Sequence, residues 1–180
     1  MTKKFTYAGI GARVLPEGMA EILTSVATNL EALDWHLYTG GAEGADKAFM
    51  DGVTDLTKLT VYIPWNRFNG YTSSDEPVIS IKHVEPSLLA KSMAIAEQYH
   101  PNWPAVMHGS QLLMARNSFQ VFGPDLETPV DCVICWTKDG QTIGGTGQAL
   151  RIAMDHDIPI INLGRHSLEE AEGIIGDIIS

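Results

Sequence analysis

The sequence predicts a doubly wound α/β fold: one domain spanning 1–180, with a mainly parallel sheet of about five to seven strands and helices on both faces. Three observations predict it. Short apolar runs alternate along the chain with segments of helical periodicity. The apolar runs are apolar throughout, as strands covered on both faces are. Two glycine-rich turns, at Gly40-Gly41-Ala42-Glu43-Gly44-Ala45-Asp46 and Gly144-Gly145-Thr146-Gly147, each follow an apolar run and open a helix.

Phe5 to Ile10 is the first strand. Pro16 suits the first turn of a helix, and Met19, Ile22, Leu23, Val26, Leu30 and Leu33 then recur at helical spacing. Trp35 to Tyr38 is the second strand, Ala45 to Gly52 a helix and Leu59 to Ile63 the third strand. Pro64 to Pro77 is a long polar and aromatic loop, and loops of that length commonly carry function. Val78 to Val84 adds a short strand. Ser87 to Tyr99 is a helix with Leu88, Leu89, Met93 and Ala96 facing inward, broken by His100-Pro101-Asn102-Trp103-Pro104. Ser110 to Val121 is a helix and Val130 to Trp136 a strand. A helix then runs from the second glycine turn to about His156, and Ile158 to Leu163 is the last strand. Ser167 with Glu170 makes a capping box for a final helix whose inward face is Leu168, Ala171, Ile174, Ile175 and Ile178.

The formal net charge of −10 works against non-specific nucleic-acid binding, which draws on Lys and Arg. No run approaches the ~18 apolar residues of a membrane span. Lys3 and Lys4 are followed by no signal-like apolar region, so a cytoplasmic protein is expected. Cys132 and Cys135 are spaced Cys-x-x-Cys but lie inside a strand, where residues three apart point to opposite faces. They read as buried and structural, and the six histidines show no ligand spacing, so neither a metal nor another cofactor is expected.

In doubly wound sheets ligands sit beyond the carboxyl ends of the strands, where the strand order reverses. If the first and the Val130–Trp136 strands are neighbours there, three loops converge: Gly9-Ile10-Gly11-Ala12-Arg13, the Gly40 loop, and Trp136 through Thr146. Glycine turns at helix starts offer backbone N–H groups and the helix dipole to an anion. Arg13 and Arg116 are candidates for bidentate phosphate contact. Asn117 suits a ribose hydroxyl or a buried turn; Asp46 suits ribose recognition or a plain helix-start stabiliser. Trp136, or Trp65, Phe68 and Tyr71 on the long loop, suit stacking on a base, with Asn69-Gly70 marking a mobile lid. Glu43 and Asp139 are the acids nearest the inferred site, and either suits stabilisation of a sugar cation. No Gly-x-Gly-x-x-Gly and no Gly-Lys-Ser/Thr is present.

Four motifs in order resemble the SLOG superfamily, the Rossmann-like fold shared by the DNA-processing protein A family and the LOG phosphoribohydrolases. They are Gly9-Ile10-Gly11-Ala12-Arg13, Gly40 through Asp46, Arg116-Asn117 and Gly144-Gly145-Thr146-Gly147-Gln148, closest to the DNA-processing branch. The resemblance runs from Phe5 to about Leu163 and implies a Rossmann-like nucleotide-binding domain and a homodimer. It implies ligand contact at Gly9, Gly11, Arg13, Gly40, Gly41, Asp46, Arg116, Asn117, Gly144, Gly145, Thr146, Gly147 and Gln148, beside Trp136. Matching Gly144 to Gly147 onto the LOG glycines places Arg151 where those enzymes carry their catalytic glutamate. The expected function is binding of a nucleotide or nucleotide derivative, with hydrolysis of its N-glycosidic bond an open question. Alternatives are a non-catalytic sensor of a signalling nucleotide and a single-stranded DNA binder.

Overall fold

The computed structural model describes residues 3–180; Met1 and Thr2 lie outside them. Its strands are β1 (Thr6–Gly11), β2 (His36–Thr39), β3 (Leu59–Ile63), β4 (Val78–Ser80), β5 (Cys132–Trp136) and β6 (Ile160–Asn162). They form one six-stranded sheet in the order β4-β3-β2-β1-β5-β6, every pair parallel. The helices are α1 (Met19–Ala32), α2 (Ala45–Asp51), α3 (Pro86–Gln98), α4 (His108–Phe122), α5 (Gly144–Asp155) and α6 (Leu168–Ile179).

Two cores sandwich the sheet. Leu23, Ala27 and Leu30 of α1, Ala48 and Phe49 of α2 and Ala171 of α6 pack with Tyr7, Leu37 and Ile134 on one face. Ala96 of α3, Phe119 of α4 and Leu150 of α5 pack with Ala8, Tyr62 and Val133 on the other. Alternation along β5 separates the cysteines as expected, Cys132 into the first core and Cys135 into the second. Both thiols are free and buried, and burial raises both.

The chain builds β1 to β4 outward in one direction, then crosses back to lay β5 beside β1, with Gly11 opposite Trp136. The strand order therefore reverses between β1 and β5, and the crevice outside their carboxyl ends is the ligand position of this architecture.

Departures from the expected elements are local. The strand expected over Val78–Val84 stops at Ser80, because Ile81–His83 coils into a 3₁₀ turn that buries Ile81. Pro64–Pro77 is packed rather than lid-like. Phe68 is buried with the Trp65 ring edge-on at 5.5 Å, and the Asn69 amide donates to the Gly41 carbonyl at 3.0 Å. The capping box of Ser167 and Glu170 is present on α6, but Leu168 stays exposed while Ala171, Ile174, Ile175 and Ile178 meet the core.

Candidate anion-binding cavity

A cavity of about 450 Å³ opens at the carboxyl ends of β1 and β5. Its walls come from Gly11 to Arg13 after β1, Thr137 and Lys138 after β5, the first turn of α5, and one face of α4. The volume falls within the ~300–1,000 Å³ of small-molecule sites.

The first turn of α5 is built to leave donors open. Its N-cap residue, Ile143, supplies no side-chain cap, and the first helical bond runs from the Gly147 N–H to the Ile143 carbonyl at 2.9 Å. The N–H groups of Gly144, Gly145 and Thr146 find no partner among the described residues, as the opening N–H groups of a helix do unless something caps them. Gly144 has φ +66°, a left-handed conformation suited to glycine, and open space surrounds the Cβ position of both Gly144 and Gly145. The turn is held from both sides. Thr146 Oγ1 donates to the Gly11 carbonyl at 3.0 Å, and Asn117 Nδ2 donates to the Gly145 carbonyl and to Gln148 Oε1, each at 3.0 Å. A rigid, uncapped helix start with the positive end of its dipole in a crevice favours an anion.

The side-chain charges agree. Arg13, Arg116 and Lys138 line the cavity against a single carboxylate, Asp46, in a chain whose net charge is −10. Arg13 and Lys138 are exposed at the mouth, whereas Arg116 is 7% and Asp46 4% exposed. Arg116 Nη1 donates to the Gly40 carbonyl and, at 3.4 Å, to the Tyr62 carbonyl; its guanidinium lies 5.9 Å from the Phe68 ring centre. Burial pulls the Arg116 pKa down, against the attraction of Asp46. Asp46 Oδ2 accepts from the Ala42 N–H at 3.2 Å. Burial pushes the Asp46 carboxyl up to about 6, although the Arg116 charge and the Ala42 and Gly40 amides pull the other way.

The residues of the first glycine loop are in place for a different reason from the one expected. Gly40 and Gly41 are buried behind the wall. A Cβ at Gly40 would collide with the Arg116 guanidinium and the Gln120 amide, and one at Gly41 (φ +66°) would crowd Tyr71, Val61 and Ile63 at 3.2–3.3 Å. This loop is closed by the protein's own atoms and shapes a seat for Arg116; only Ala42 and Asp46 reach the cavity. Gly9 is required by close packing on Leu37 and Phe49, and Gly11 by Trp136 and Ala45, although Gly11 also forms wall. Gly147 packs on the Thr142 backbone and Gln148 is buried behind Asn117, so both support the α5 turn from outside the wall.

Three expected contacts fall elsewhere. Trp136 packs against the core that holds α1, α2 and α6 and stands outside the cavity wall, sharing strand parity with Ile134, while Thr137 lines the cavity. Glu43 and Asp139 are exposed and form no part of the wall. Trp65, Phe68 and Tyr71 are packed on the core, so stacking from the long loop has no free ring among them.

Sequence reasoning missed Ser110, Leu113, Met114 and Gln120 of α4; Thr137, Lys138 and Ile143 fall inside the Trp136–Thr146 segment it placed at the site, without being singled out. A signal for the α4 group exists: Ser110, Leu113, Met114 and Asn117 stand at i, i+3, i+4 and i+7, one helical stripe ending on a residue already singled out.

No family model matches the sequence, and no curated protein matches it. Among solved structures, the chain is similar to DNA processing protein A from Helicobacter pylori, with a TM-score of 0.60 and 15% identity over 96% of this chain and 72% of that one. That structure concerns a single-stranded DNA binding mode of that protein. At this identity the likeness shows the fold, a Rossmann-like α/β domain with an all-parallel sheet. No described helix is long and apolar enough to cross a membrane.

Proposed function

We propose that the protein binds a nucleotide or nucleotide derivative in the cavity at the β1–β5 switch. One observation carries the reading. The uncapped first turn of α5, with its open N–H groups at Gly144, Gly145 and Thr146, shares one cavity with Arg13, Arg116 and Lys138. Backbone donors, the helix dipole and three cations border the same cavity, a combination that favours an anion. Leu113, Met114 and Ile143 supply apolar wall for a base beside it. The motif resemblance to SLOG proteins and the Rossmann-like fold support the same class of ligand. The test is calorimetric titration or thermal shift with a panel of nucleotides and their unphosphorylated nucleosides. A true ligand at ~100 times its dissociation constant adds ~2.7 kcal/mol of stability. Nucleosides that bind as well as nucleotides would overturn the phosphate position.

Turnover at the N-glycosidic bond needs a carboxylate near the sugar. Asp46 alone stands on the wall, so release of free base that survives Asp46→Asn would return that role to Glu43 or Asp139.

A second reading, single-stranded DNA binding, is favoured by the structural likeness to a protein described as binding it. It predicts a gel shift that weakens steeply with salt. The resemblance also implies a homodimer, which sedimentation reads directly.

A further inference from the structure

Between α1 and α6, on the face of the sheet away from α3, α4 and α5, runs a groove of about 590 Å³ with Leu30, Ile134 and Ile161 at its floor. We propose that this groove docks an amphipathic helix of a partner protein, its apolar face in the groove and its lysine or arginine flanks against the carboxylates of the rim. The groove shares no residue with the cavity at β1 and β5, so the two sites stand or fall separately.

The groove is apolar and open. Leu33, Leu168 and Ile179 stand on it at 56%, 46% and 46% exposure, a clustering of large exposed apolar side chains that marks an interaction surface. Ala171 is the one fully buried residue of α6, so the apolar stripe of this helix is only partly used by the protein's own core. Gly176 lines the groove, and a Cβ there would meet no atom of the protein. Glycine weakens a helix interior, and no packing within the chain requires it at this position. Its missing side chain keeps the groove open.

Charge and shape select the occupant. α1 and α6 carry Glu21, Glu31, Glu169, Glu170, Glu172 and Asp177 and no lysine or arginine. Glu31 is engaged by the Thr54 and Asp55 amides, and Glu170 by the capping box. Glu21, Glu169, Glu172 and Asp177 are exposed and in no salt bridge among the described residues. Glu21 and Glu172 face the groove from its two walls. A second copy would set the same carboxylates against these, and like charges across an interface are disfavoured, whereas a cationic partner is complementary. Both walls are helices with no free backbone edge for an extended strand, so the contacts come from side chains, as in helix-in-groove recognition. The stripe from Leu168 to Ile179 rises about 16 Å, or about three turns, the reach of anchors at i, i+3, i+4 and i+7 on a partner helix.

The experiment follows the fluorescence anisotropy of labelled peptide probes of about 18 residues as the full chain is added. One probe has leucine at i, i+3, i+4 and i+7 and lysine elsewhere. A second has the same composition scrambled, and a third keeps the pattern with glutamate in place of lysine. The expected result is that the first binds about tenfold or more tightly than either of the others. Glu21→Gln combined with Glu172→Gln weakens the first probe several-fold, more at low salt than at high. Gly176→Leu puts a side chain into the open groove and weakens it about tenfold, while the thermal midpoint does not fall. Failure of the first probe to bind overturns the inference. Equal binding of the scrambled probe reduces the effect to net charge and overturns it, and equal binding of the glutamate probe overturns the cationic partner. Affinity unchanged in both variants places the probe elsewhere and overturns the groove. A wild-type dimer in sedimentation that Gly176→Leu dissociates assigns the groove to a second copy and likewise overturns it.

Discussion

Arg116 sits directly on Gly40: its Nη1 donates to the Gly40 carbonyl, and the space a side chain at residue 40 would fill is occupied by the Arg116 guanidinium. The first glycine loop is therefore a socket. It fixes a cation 76 positions away in sequence at the wall of the β1–β5 crevice, with Phe68 flanking the guanidinium. The second glycine turn works the opposite way. Open space surrounds the Cβ positions of Gly144 and Gly145, both line the crevice, and their N–H groups have no partner among the described residues. Two glycine-rich turns of similar appearance thus do different jobs, one closed around a side chain and one open to a guest.

That difference gives a paired test. Gly40→Ala forces the Arg116 guanidinium and the Gln120 amide to move in a filled interior, an overpacking that costs about 1–3 kcal/mol. Urea denaturation reads the loss, and nucleotide affinity falls with it as Arg116 shifts. Gly145→Ala meets no protein atom and adds a helix-favouring residue, so stability stays level or rises by up to ~1 kcal/mol. Its methyl group stands beside the open N–H groups, so nucleotide affinity falls although the fold does not weaken. Equal effects of the two variants on stability would contradict the socket.

Arg13 and Lys138 are exposed at the mouth, in no salt bridge among the described residues. Arg13→Ala and Lys138→Ala leave the unfolding free energy within ~0.5 kcal/mol of wild type, as surface substitutions do. Each weakens a nucleoside monophosphate several-fold at low salt, and the penalty shrinks as added salt screens the mouth. The matching nucleoside, lacking the phosphate, is unaffected. Titration at two ionic strengths checks all three statements.

Much of the fold was readable because its signals are local and repeated. Apolar runs such as Leu59–Ile63 and the Ser167–Glu170 box declare their elements within a few residues, and the alternating pattern implies a parallel sheet, whereas the placing of β5 beside β1 is set by long-range packing. Arg116 and Asn117 were singled out by resemblance to a family's Arg-Asn pair, and both line the crevice. What failed depended on which side of an element a residue takes. Trp136 ends the right strand but has the parity of the far core, and Glu43 and Asp139 are near the crevice in sequence while their loops turn them to solvent. Leu113 and Met114 were read only as part of a helix, and the sequence does not say that α4 borders the crevice at the end of the sheet.

Asp46 gives the pH dependence. Burial raises its carboxyl to about 6 in the folded protein, above the ~3.9 of an unfolded aspartate. Between roughly pH 4 and 6 the folded state holds a proton that the unfolded state has released, so this group's contribution to stability is full below pH 4 and is lost as the pH rises through 6. Glu31 and Glu170, whose pKa values backbone hydrogen bonds lower, act in the opposite sense and over a lower window. The useful quantity is therefore the difference between wild type and Asp46→Asn. The stability of wild type relative to Asp46→Asn declines from about pH 4 through pH 6 and levels off above about pH 7, by chemical denaturation at each pH.

Trp136 separates this site from the one its sequence position invites. Its carbonyl, which accepts from the Ala12 N–H at 3.0 Å, helps shape the crevice, but its indole packs against the α1, α2 and α6 core. Trp136→Leu keeps the carbonyl and removes the ring. The variant is destabilised by about 1–2 kcal/mol through lost packing, yet at a temperature where it is fully folded it binds nucleotide within about twofold of wild type. Met114→Ala, on the α4 wall, does the reverse: its side chain borders the cavity and is only half-buried, so stability changes little while affinity for a ligand carrying a base drops more than affinity for ribose 5-phosphate. A Trp136→Leu protein that folds but has lost nucleotide binding would move the base to the far face of the sheet and with it the whole assignment of the α4 wall.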